Sequence, residues 1–229
     1  MKKFLLCFCA IGLIGSTLCG EGHLIPAEPN FGDPSPDGPR YAAACDRILY
    51  SGNDWLIRYL ENTESPSTTL AVAVYRDRDR FRLEIAETKP DLYSVVSDPL
   101  NRESSVRNLV RKVSLYRASC LLPSEAATEL QRLWLSFLKQ TRSGRADQRS
   151  VPLFRAFLYA RSTTRQILSG EVPPDAPRYR HFQLFGDIIE DLRRCPKSSG
   201  TARVKLIGSI QRDARALRLS LNGTDGPRR

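Results

Sequence analysis

Ser136 and Lys139 are separated by Phe137 and Leu138, the SxxK spacing that a helix would bring onto one side. There the lysine amine could serve as base to the serine hydroxyl, the pairing needed for nucleophilic acyl transfer. Asp187, Glu190 and Asp191 offer a second kit, since paired carboxylates can hydrolyse glycosides or hold a cation. Arg193 and Arg194 follow at once, however, and a helix that sets acids one turn before arginines forms surface ion pairs instead. Histidine adds little: His23 lies near the N-terminus, and His181 reads as a partly exposed polar side chain at the start of a helix.

Most familiar catalytic arrangements are missing. Penicillin-recognising enzymes combine SxxK with SDN and KTG motifs, and neither companion is present. There is no GxSxG turn, HExxH, EF-hand loop or glycine-rich phosphate loop. No cofactor and no metal site is therefore expected.

Arginine dominates the charged residues. The formal net charge is +10, or +8 without Lys2 and Lys3, and the other lysines are Lys89, Lys112, Lys139, Lys197 and Lys205 alone. Solvated helix faces would account for much of this. Two groups are concentrated enough to bind something: Arg76, Arg78, Arg80 and Arg82 around a hairpin tip, and Arg178 and Arg180 flanking Tyr179. Strand alternation sends Arg80 and Arg82 to one sheet face, opposite Phe81 and Leu83. Such a surface could dock an anionic envelope component or an acidic protein, or it could shield a hairpin edge from aggregation. No aromatic–basic recognition motif appears, and nucleic acid is not an expected partner.

The compartment comes from the N-terminus. Lys2 and Lys3 precede an uncharged run from Phe4 to Leu18, with small residues at Gly15, Ser16, Thr17 and Gly20. Residues 1–20 thus read as a cleavable bacterial signal peptide, too short to anchor, for export to the periplasm or medium. Cys19 would allow lipid anchoring, although Ser16 and Leu18 do not fit that pattern. No membrane span is expected after cleavage. In an oxidising compartment Cys45, Cys120 and Cys195 should include one bridge; Cys120–Cys195 is the expected pair, because each cysteine borders a predicted helix.

The elements that would position these groups follow from hydrophobic periodicity. Residues 21–40 carry Pro26, Pro29, Pro34, Pro36 and Pro39 and read as a disordered leader before one domain over 41–221, with a tail over 222–229. Helices are expected at 41–50, 54–62, 124–142, 179–195 and 204–219. Strands are expected at 68–75, 81–86, 154–160 and 165–169, with a further one within 106–118. Pairing them gives an α+β domain: an antiparallel sheet built from two hairpins, with helices packed on one face. Two classes of function fit. One is a non-catalytic binding or interaction protein of the envelope; the other is an envelope hydrolase with an atypical Ser/Lys or paired-carboxylate site.

Overall fold

The computed structural model describes residue 24, residues 36–64, 67–141, 154–162, 164, 166–172 and 179–223. The expected signal peptide with Cys19, most of the leader, the 143–150 loop, Arg178 and the end of the tail lie outside these residues.

The chain runs through α1 (Asp37–Ile48), β1 (Trp55–Glu64), β2 (Ser67–Asp77), β3 (Arg80–Lys89), α2 (Leu92–Ser97), α3 (Val106–Val110) and β4 (Ser114–Leu122). It continues with α4 (Ser124–Lys139), β5 (Phe154–Arg161), β6 (Ile167–Val172), α5 (Arg180–Arg194) and α6 (Gly200–Gly223). All strands join one antiparallel six-stranded sheet in the order β4-β3-β2-β1-β5-β6. The α+β class and the helix-on-sheet packing expected from the sequence are those observed.

The largest difference is β1. Trp55, Leu56, Tyr59 and Leu60 are spaced like one face of an amphipathic helix over 54–62, yet they belong to the strand between β2 and β5. A central strand buries both faces, so the polar–apolar alternation that marks a strand is lost. Tyr59 and Leu60 accordingly join opposite cores.

Two boundaries also move. Val106 and Leu109, three apart, roll 106–110 into a short helix, and the strand expected there begins only at Ser114. The leader gives way to helix at Asp37, where Pro39 is tolerated because first-turn N–H groups need no helical acceptor. Leu24 is buried as well, its side chain beside Gly170 and Leu138.

Each sheet face has its own core. On one, Val72, Val74, Leu83, Ile85 and Leu158 meet α4, α5 and α6. Trp134 is fully buried there: its ring lies 4.9 Å from that of Phe185, and its Nε1 donates to the Arg58 carbonyl at 3.2 Å. On the other face the small Ala71, Ala73 and Ala86 make room for Tyr41, Ile48 and Tyr50 from the α1 side and for Leu92, Val96 and Leu109. Helices thus cover the second face in addition to the one expected.

Candidate functional site

Arg78 and Asp79 alone connect β2 to β3, since Asp77 already pairs with Arg80. A connection this tight requires backbone in the left-handed region, and Arg78 occupies it with φ 53°. Glycine or asparagine is the usual occupant of such a position, and an arginine there carries local strain. Arg76, Arg78 and Arg80 are all exposed. The Arg76 guanidinium lies 5.7 Å from the centre of the Phe81 ring. Among the described residues, none of these three arginines is within ion-pairing distance of a carboxylate, although Asp77 and Asp79 interleave with them and lower the local net charge.

Arg82 differs although it is only two residues away. It donates to the Glu84 carboxylate, reaches Ser51 Oγ at 3.3 Å and lies over the Tyr75 ring at 4.8 Å. Glu84 is 4 % exposed and also accepts from Arg117 Nη1 at 2.6 Å and Ser51 Oγ at 2.6 Å. The second guanidinium nitrogen of Arg117 donates to the Ile48 carbonyl at 2.6 Å, at the end of α1. Here two arginines neutralise one buried carboxylate and tie α1 to the sheet. Arg82 is therefore engaged within the fold, while Arg76, Arg78 and Arg80 face outward. Arg180 opens α5 and is exposed, with Tyr179 and His181 stacked beside it, ring centres 5.9 Å apart.

The catalytic candidates do not converge. Ser136 is half-buried and Lys139 exposed on α4. Glu190 pairs with Arg193 at 3.4 Å and Asp191 with Arg194 at 3.5 Å, each one helical turn apart, while Asp187 is exposed. A polar cleft of about 450 Å³ between α4 and α6 is lined by Ser124, Glu125, Thr128, Glu129, Arg132, Gln211 and Arg215, and it includes none of the five. Among the described residues no group of three His, Cys, Asp or Glu side chains could hold a metal.

A different carboxylate pair shows divergent environments. Burial raises the pKa of Glu61, which accepts from Tyr59 Oη at 2.6 Å. Glu87 is held down to about 2, chiefly by its hydrogen bonds from Arg193. Opposed shifts can mark an acid and a base. Here Leu70 pairs with both residues and lies between them, and Glu87 is also bound by Lys197 at 2.8 Å. The two carboxylates are thus held by separate partners, and Glu87 fastens α5 to the sheet.

Cys120 Sγ and Cys195 Sγ are 3.5 Å apart and buried, so the structure brings together the two cysteines expected to pair. They are thiols here, since a disulfide would need about 2.05 Å. The hydrogen bond between them pulls the Cys120 pKa down and pushes that of Cys195 up. Burial pushes the Cys45 thiol up as well and leaves it unreactive.

One basic group had not been anticipated. Arg102, Arg107, Arg111 and Lys112 are exposed around α3, with Glu103 the only acid among them. Their density was visible in the sequence, but a strand expected across 106–118 would have split them between two faces.

Comparisons with protein-family models, curated proteins and solved structures found no match to this chain. No helix among the described residues is long and apolar enough to cross a membrane.

Proposed function

We propose that this chain is an exported, non-catalytic interaction protein that engages an acidic protein partner through arginines the fold leaves unpaired. The carrying observation is the β2–β3 tip, where Arg76, Arg78 and Arg80 are exposed without ion-pair partners among the described residues and Arg78 holds a backbone position that disfavours it. Guanidinium forks suit carboxylates because both are planar and can form two hydrogen bonds at once. The basic residues around α3 form a second exposed group.

Immobilised poly-L-glutamate tests the reading. The wild type is expected to bind, and Arg76→Ser/Arg78→Asn/Arg80→Ser to bind about tenfold less. Alanine at Ser136 or Lys139 and asparagine at Asp187 should leave capture unchanged. Equal capture by the tip variant would remove the hairpin from the interface. Stronger capture on polyphosphate than on polyglutamate would remove the acidic protein as partner.

Export carries a second expectation. In an oxidising compartment Cys120 and Cys195 close into a bridge while Cys45 stays reduced. Intact mass of the secreted protein after thiol labelling under denaturing conditions should show a single labelled cysteine in the mature chain. Three labelled cysteines would contradict the bridge.

A further inference from the structure

The two exposed basic groups lie at opposite ends of β4, whose outer side pairs with no strand among the described residues, although the Cys195–Lys197 turn packs on it and sets Lys197 Nζ 5.0 Å from the centre of the Tyr116 ring. β4 forms an edge of the sheet, and eight of its nine pairs with β3, from Leu122 down, run toward α3 before Lys89–Ser114 closes the ladder. Nine residues of strand span about 30 Å. At the N-terminal end stand the exposed Arg111 and Lys112, the latter donating to Asn101 Oδ1; at the other, Arg80 lies one residue beyond the Phe81–Leu122 pair.

An edge this long is normally blunted by a bulge, a proline, a lysine or a covering element. β4 contains neither proline nor lysine, and its register with β3 is unbroken. Its one charge, Arg117, is engaged with Glu84 and the Ile48 carbonyl. Leu115, Tyr116 and Leu121 are 38 %, 46 % and 56 % exposed. The opposite edge, β6, is six residues long, and its Gly170, Glu171 and Val172 are buried.

We propose that the β4 edge receives an extended acidic segment of the partner as a seventh strand. Backbone hydrogen bonds to Ser114–Leu122 hold it, and its carboxylates meet Arg111 at one end and Arg80 at the other. This deepens the function proposed above and rests on it. Edge addition of this kind takes its affinity from the backbone and its selectivity from alternate side chains. A second copy of the chain fits less well. Antiparallel pairing of two β4 strands would set Leu115 against Leu121, but it would also bring Arg111 of one copy to the Arg80 end of the other, like charge toward like.

The probe is a nine-residue peptide alternating glutamate and valine, with two forms N-methylated on all glutamates or on all valines. Every charge is retained, but only one set of amides can face β4. The parent peptide should bind and slow amide exchange across Ser114–Leu122, and one methylated form should bind at least tenfold more weakly than the other. Equal binding by both forms, without new protection on β4, would overturn strand addition and leave the arginine reading standing. Failure of both the peptide and polyglutamate to bind would overturn the two together. Protection of β4 that grows with protein concentration in the absence of peptide would assign the edge to a second copy.

Discussion

Arg80 and Arg82 lie on the same face of one strand and do different work. Arg82 meets a buried carboxylate that Arg117 also neutralises, and together they join α1, the Ser51 loop and the sheet. Arg76 and Arg80 in the last strand pairs and Arg78 in the turn beyond them are exposed, without a carboxylate in reach among the described residues. The difference teaches that the net charge of +10 is not one quantity. Part of it is structural, neutralised where it stands, and part is left for another molecule.

That contrast can be broken from the structural side first. Glu84→Ala leaves Arg82 and Arg117 facing each other without their carboxylate. Losing one member of a fully buried pair costs ~3–5 kcal/mol. Arg82 and Arg117 keep 31 % of their side chains exposed, so about 2–3 kcal/mol is expected in denaturant unfolding. A loss under ~0.5 kcal/mol would show that the triad is surface charge after all.

Glu87 and Arg193 sharpen the comparison through pH. The pKa of Glu87 is depressed from its ordinary 4.5 to about 2. Its contribution to stability is therefore complete above the ordinary value and is lost as pH falls through about 2. Glu61, raised by burial, works the other way, because its protonation favours the folded state. Arg193→Gln should flatten the acid-side loss between pH 4.5 and 2, measured by thermal unfolding. An unchanged acid limb would show that the pair carries no linkage.

How much of this could be read beforehand depended on the distance between partners. The β2–β3 hairpin was legible because Leu70, Val72 and Val74 alternate and answer Leu83 and Ile85 locally. The Glu190–Arg193 and Asp191–Arg194 pairs were legible at helical spacing. Arg117–Glu84 and Arg193–Glu87 were not, being 33 and 106 residues apart and decided by sheet order and helix docking. β1 was hidden by its own double burial. The open edge of β4 was hidden because a strand's position in a sheet leaves no mark on its own sequence.

At the hairpin tip the effects on stability should be smallest. Arg78→Asn relieves the left-handed backbone and should stabilise by up to about 1 kcal/mol in denaturant unfolding. Destabilisation would mean that Arg78 makes a contact that the fold requires.

The division between engaged and available arginines is tested most directly by the salt dependence of poly-L-glutamate affinity, with the wild type and Arg76→Ser/Arg78→Asn/Arg80→Ser compared at equal folded fraction. Raising ionic strength shortens the reach of exposed charges. The wild-type affinity should fall about tenfold between roughly 50 and 300 mM salt, while the variant starts weaker and declines less steeply. Superimposable curves would contradict the account and return the tip arginines to ordinary surface charge.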